Sequence, residues 1–212
     1  MTTDVAGASL LIFPFNGNAL EALDCLGSAH RFLGFVDDTP EKQGVSKCGH
    51  PVFTRAAFDK WPQAQVLAVP GSALTFQTRR SVIEALSLRA DRFARVIHPR
   101  AVVSPLASIG RNTLIMAGVV ITSNAVIGDH VIVLPNTVIH HDVRVGAWSL
   151  IGSNVTVAGS THIGENCYIG SGSSVINGLS VGDGALIGLG STVLKNVAVR
   201  SRVAGNPARV LA

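Results

Sequence analysis

Aromatic and charged side chains are both scarce in this sequence. One Tyr, two Trp and eight Phe make up 5% of the 212 residues, and Asp, Glu, Lys and Arg together only 14%. The net charge is +4, and the basic residues are not interleaved with aromatics, so a nucleic-acid surface is not expected. Cysteine is equally sparse. Cys25, Cys48 and Cys167 are odd in number with no pair at C-x-x-C spacing, which argues against a disulfide framework and a cysteine zinc site. No apolar run approaches the length of a membrane span, and the opening MTTDVAGAS has an acid and no basic flank. A soluble, cytoplasmic protein in a reducing compartment is the expectation. What is abundant is apolar residues, 47% of the chain, enough for a full core, and the length suits two domains.

The second half repeats. Counting in sixes from Ile97 gives Val103, Ile109, Ile115, Ile121, Ile127, Val133, Ile139, Val145, Ile151, Val157, Ile163, Ile169, Val175, Val181, Ile187, Val193 and Val199, eighteen branched aliphatics in phase. A fixed short period is the mark of a solenoid. Gly often follows the aliphatic, as at Gly110, Gly128, Gly146, Gly152, Gly164, Gly170, Gly182 and Gly188, and a small residue often stands four after it, as at Thr137, Ser149 and Ser173. Each unit reads as a short strand and a tight corner, with one side chain inward and a glycine where the backbone bends.

This pattern resembles the hexapeptide-repeat acyltransferases. The resemblance implies a left-handed parallel β-helix, three hexads to a coil, about six coils from Ile97 to Ala204. The segments RVIHPRAVVSPLASIG (Arg95 to Gly110) and AGNPARVLA (Ala204 to Ala212) are similar to the entry and exit of the subfamily of nucleotide-activated amino-sugar N-acetyltransferases and sialic acid O-acetyltransferases. That subfamily carries a small nucleotide-binding α/β domain ahead of the helix. The expected division is 1–92 for a Rossmann-like α/β domain and 93–212 for the β-helix.

The first half fits that expectation. It reads as a strand at Ser9 to Phe13, a helix through Ala19 to Leu26, a strand FLGFVDD ending at Asp38, a polar loop, a short helix around Ala56 to Lys60, a strand from Gln65 to Ser72 and a helix from about Gln77 to Leu88. In a parallel sheet of this kind ligands bind at the carboxyl ends of the strands. Asn16, Gly17 and Asn18 stand before a helix, where free N–H groups meet phosphate. Asp37, twenty residues after Gly17, stands where such folds place an acid that reads a nucleoside, with Asp38 beside it and Gly71 and Ser72 at the end of the third strand. The first loop, PFNGNA, has one glycine where that of the subfamily resembles G-x-G-G-x-G, with four.

Within the helix, NTVIHHDVRVG (Asn136 to Gly146) places three polar, titratable residues in the aliphatic register. A purely structural or ice-binding solenoid leaves them unexplained. On the subfamily pattern His141 is the catalytic base and Asp142 the following acid, with His140 in the place of a preceding acid, set to contact the sugar. Residues eighteen apart stack in neighbouring coils, so His141 lies beside Gly159, whose missing side chain leaves room for a thioester. A near-neutral imidazole can take the proton of an attacking amine, and Asp142 would orient it. By resemblance the N–H of Gly159 receives the oxyanion, and acetyl-coenzyme A lies along Gly159, Ser160, Gly170, Ser171, Gly188 and Leu189 between subunits of a homotrimer. Lys195, Arg200, Arg202 and Arg209, clustered near the C-terminus, are candidates for its phosphates, Lys195 and Arg209 foremost. Two subfamily positions are changed, to Leu134 and Leu150. His98, His130 and His162 lack ligand spacing, and no metal is called for.

The expected function is acetyl-coenzyme A-dependent N-acetylation of a nucleotide-linked 4-amino-4,6-dideoxy sugar by direct transfer. Sugar O-acetylation and a non-catalytic nucleotide-sugar-binding trimeric scaffold are the alternatives. No nucleic-acid or membrane partner is expected.

Overall fold

The computed structural model describes residues 7–46 and 48–211. The opening acid Asp4 and the last residue, Ala212, lie outside the described residues, and Cys48 is exposed.

The α/β region begins with β1 (Ala8–Phe13), α1 (Gly17–Leu23) and β2 (His30–Val36), then β3 (Gly44–Val45), β4 (Pro51–Phe53), α2 (Ala57–Lys60), β5 (Gln65–Ala68) and α3 (Arg79–Glu84). Its sheet runs β3-β4-β2-β1-β5, parallel except for the edge strand β3. Both sides are covered, so β1 is apolar without alternation. Leu10 and Ile12 face α1 and the β-helix, whereas Leu11 and Phe13 face α2 and Ile83 of α3. Two expectations change here. The polar loop contains β3 and β4, too short to show a period. The expected helix from Gln77 shrinks to a 3-10 turn, Phe76–Thr78, and α3, because Ser87 already takes φ 51° and ends it.

The chain leaves this sheet through Phe93 and Ala94, which bond to Val66, and enters the coil at β6 (Arg95–Ile97). From there two- and three-residue strands stack into three parallel sheets. The first face starts with β6 and includes Thr113–Ile115, Ile132–Val133 and Leu150–Ile151; the second runs from Val102–Val103 to Thr192–Val193; the third from Ser108–Ile109 to Ser180–Val181. Partners are eighteen residues apart, as in Val138 with Thr156. The stack fits the expected left-handed parallel β-helix. Its core is the hexad series, from Ile115 to Val193 no more than 2% exposed.

The corners revise one reading. Glycines after the inward aliphatic do not make the bend; they allow close stacking, and a Cβ on Gly146 would lie 2.5 Å from the carbonyl carbon of Gly164. The bend falls two residues later, where every sixth residue from Asn112 to Gly190 has φ between 50° and 73°. Asn or Gly fills most of these positions, as the left-handed conformation favours. The exceptions are His130, Asp142, Trp148 and Ser160.

The register also stops sooner than counted. Val199 is 63% exposed, while Val197, 7% exposed, points inward in its stead. The last coil is two residues short, so Val181 bridges Val197 and Ile187 pairs with Val203 at an offset of sixteen. An antiparallel pair, Arg202–Gly205 with Ala208–Val210, ends the first face.

The α/β region sits on the first face. Leu114, Ile132 and Leu150, on the outer side of that face, share a buried cluster with Ala19 and Ala22 of α1. At the corner between the third and first faces, Asn112 continues the edge of β5, donating to Ala68 O at 2.9 Å and accepting from Ala68 N at 2.7 Å.

Candidate active site

His141 and Asp142 lie at the corner between the second and third faces, following Val138–Ile139. The left-handed turn at Asp142 folds its carboxylate back to His141 Nδ1 at 2.8 Å. Asn124, one coil earlier, donates to the other carboxylate oxygen at 3.1 Å. The bond from His141, and then that from Asn124, holds the Asp142 carboxyl below the usual carboxylate range. Both side chains are open to solvent, 62% and 50% exposed.

A Cβ built on Gly159 would stand 2.6 Å from both Cε1 and Nε2 of His141. The ring therefore lies against the bare face of Gly159, with Nε2 as its unbonded nitrogen. Ser160 N donates to His141 O at 2.9 Å and fixes the corner, while the N–H of Gly159 has no partner among the described residues. His140 is half-buried, its N–H donating to Val157 O at 3.0 Å. One coil below it, the hydroxyl of Thr122 is buried without a hydrogen-bond partner among the described residues.

The expected acetyl-coenzyme A residues divide between two corners. Gly159 and Ser160 share the His141 corner, and so does Lys195, three coils along, about 14 Å at the usual strand spacing. Lys195 and Arg209 meet in a cleft of about 250 Å³ with Leu194, Val197 and Val210. Gly170, Ser171, Gly188 and Leu189 lie instead at the corner between the first and second faces, where Leu189 is 69% exposed. The cluster of four cations is divided: Arg200 lies across the coil beside Asp183 and Trp148, and Arg202 opens a strand of the first face.

Of the expected nucleotide-sugar residues, Asn16, Asn18 and Gly71 come together, while His140 stays at the His141 corner. Asn16 accepts from Ala19 N at 2.9 Å and donates to Val69 O at 3.1 Å, and Asn18 reaches Val69 O and Gly71 O at 3.4 and 3.3 Å. These bonds join the loop after β1 to the loop after β5. Asp37 is not the free acid expected. It is 2% exposed, and it accepts from Phe15 N and Thr39 N at 2.9 Å each and from Lys42 Nζ at 3.1 Å. Burial pushes its carboxyl up, but the Thr39 and Lys42 bonds outweigh this and hold it low. Asp38 is paired with Arg55 at 2.7 Å, and Ser72 lies exposed against Thr75. Gly17 has open space where a Cβ would stand.

Arg79 was missed. It is fully buried and donates to the carbonyls of Pro70, Trp148 at 3.1 Å and His130 at 2.6 Å. His130 stacks on Trp148, centroids 3.8 Å apart, and burial lowers its pKa to about 4. The available signal was the pair of bulky side chains, His130 and Trp148, at corners that otherwise take Asn or Gly.

Residues 106–138, 124–159 and 160–195 match the family model of the bacterial transferase hexapeptide (six repeats). The fold of this chain is similar over nearly its whole length to solved structures. PerB from Caulobacter crescentus, in complex with CoA and GDP-perosamine, has TM-score 0.85 and 26% identity over 97% of this chain and 98% of that one. The acetyltransferase domain of PglB from Neisseria gonorrhoeae, in complex with acetyl coenzyme A, has TM-score 0.84 and 29% identity over 97% and 100%. A variant of GDP-perosamine N-acetyltransferase from Caulobacter crescentus, again with CoA and GDP-perosamine, has TM-score 0.83 and 25% identity over 97% of each chain. No curated protein matches. Among the described residues no group of three or more His, Cys, Asp or Glu is placed to hold a metal, and no helix is long and apolar enough to cross a membrane.

Proposed function

We propose that this protein is an acetyl-coenzyme A-dependent N-acetyltransferase that acts on a nucleotide-linked 4-amino-4,6-dideoxy sugar. The observation that carries the reading is the His141 ring, oriented by Asp142 and bared against Gly159. Nε2 takes a proton from the sugar amine as the nitrogen attacks the thioester carbonyl. The N–H of Gly159 receives the oxyanion, and the intermediate collapses with loss of coenzyme A thiol. GDP-perosamine, bound by the relative from Caulobacter, is the first substrate to try.

The site is built between subunits of a homotrimer. The α/β region covers the first face, and His141 occupies the corner opposite that face. A side of six residues spans up to about 20 Å at strand rise, so a sugar held at Asn16–Asn18 and Pro70–Ser72 meets His141 of another copy more readily than that of its own chain. The division of the coenzyme residues between two corners supports the same arrangement, since a cleft between copies brings unlike corners together. The α/β region is the Rossmann-like nucleotide-sugar domain, and acetyl-coenzyme A and nucleotide sugars place the enzyme in the cytoplasm.

Thiol release from acetyl-coenzyme A tests the reading. Turnover with GDP-, UDP- or dTDP-linked amino sugar, and none with hydroxyl sugars or water, is expected. Turnover with a hydroxyl acceptor alone would make it an O-acetyltransferase, and none with any acceptor would leave a binding scaffold.

A further inference from the structure

Arg79 is a cation with 0% exposure and no carboxylate partner among the described residues. Burial alone brings its pKa down to about 10, so the guanidinium stays charged near neutral pH. Its three bonds run to two places at once. His130 O and Trp148 O belong to the coil corner, and Pro70 O belongs to the loop after β5. The charge lies just beneath that loop. Gly71 has φ +116°, and a Cβ there would meet Arg79 Cγ at 2.6 Å, Cδ at 2.7 Å and Nη1 at 3.3 Å. Gly71 is thus glycine because Arg79 fills its side-chain space. Asn18 then ties Gly71 O to the loop after β1.

An apolar side chain in its place would leave those three carbonyls without their donor, so Arg79 ties the loop to the coil. Three carbonyls can hold a buried cation, yet they do not neutralise it, and an unneutralised buried charge is stabilised by an anion close by. We propose that Arg79 is a positioning residue for the nucleotide sugar. It sets the loop Pro70–Ser72 against the coil and gives that loop a positive field that favours the diphosphate, without touching the ligand. This rests on the proposed use of the two loops as the nucleotide-sugar site.

Calorimetric titration with GDP, UDP and dTDP, and steady-state kinetics with the amino-sugar nucleotide turned over fastest, test it. Arg79→Met should weaken nucleoside diphosphate binding on the order of tenfold or more and raise the sugar KM in parallel. The KM for acetyl-coenzyme A should stay unchanged. Arg79→Lys keeps the charge but not the planar fork, and should recover part of the binding. If Arg79→Met does not fold, Gly71→Ala serves instead: it keeps Arg79 but displaces the loop, and should show the same selective loss. Nucleotide binding within twofold of wild type in Arg79→Met and Gly71→Ala would overturn the proposal, as would equal losses for nucleotide and coenzyme A, or a wild type that binds none of the three diphosphates. A wild type that binds a diphosphate through Arg79 yet releases no thiol with any amino sugar would instead remove the acetyltransferase reading and leave Arg79's role intact.

Discussion

His141 and Gly159 depend on each other, because the ring occupies the space that a side chain at 159 would take. His141→Asn keeps hydrogen bonding but accepts no proton near neutral pH, so kcat should fall on the order of 10²-fold or more while coenzyme A still binds. His140→Asn should lose less, and Gly159→Leu should raise the acetyl-coenzyme A KM or abolish turnover with His141 in place. Steady-state kinetics on the three variants separates the roles, and a dead His140→Asn beside a near-normal His141→Asn would reverse them. The His141–Gly159 contact was legible because an eighteen-residue stacking rule needs only counting. The engagement of Asp37 was not, since it depends on Phe15 N and Lys42 meeting it across the sheet end, and no local spacing announces that. The four non-Asn, non-Gly corners were legible in hindsight. Asp142 and Ser160 mark the candidate catalytic corner, and His130 and Trp148 mark the seam with the α/β region.

Each coil closes with eighteen residues except the last, and that exception makes two valines unlike. Val197→Ala should cost roughly 1–3 kcal/mol of stability, as expected for a buried aliphatic. Val199→Ala should stay within about 0.5 kcal/mol, as at other exposed sites, and thermal or urea unfolding decides the comparison. Counting hexads could not find the slip, because Val199 happens to keep the old phase. The outward residues of the first face carried a readable sign, Leu114, Ile132 and Leu150 at eighteen-residue steps where the third face has Ser108, Val126, Arg144, His162 and Ser180, one of them apolar. The seam they cover also titrates. Folded His130 has a pKa of about 4 against an ordinary 6.5, so as pH falls the unfolded chain takes up the proton first. Stability from neutral His130 is whole above about pH 6.5 and is lost progressively toward pH 4. Melting temperature should drop over that window, and His130→Asn should flatten the slope in part, because burial depresses His30 in the same direction. An unchanged slope would mean the seam opens before it titrates.

At the scale of the whole molecule, three chains of 22.0 kDa should give a particle of about 66 kDa by light scattering. Subunits carrying His141→Asn, mixed with subunits carrying Gly71→Ala, should turn over more at low sugar concentration than either parent, since on the proposed trimer a sugar held on one copy meets the base of another. Mixtures no more active than their parents would place a complete site in each chain. The short last coil and its antiparallel ending have a further consequence. A stack of parallel strands has no intrinsic length, and its open end offers unpaired backbone groups to any similar strand. Reversal of direction at Ala208–Val210 turns the last edge of the first face against the polarity of the coil, and the two-residue slip throws the corner out of step. A second molecule arriving head to tail therefore finds neither matching direction nor matching register, which leaves the solenoid finite and resistant to growth into fibres.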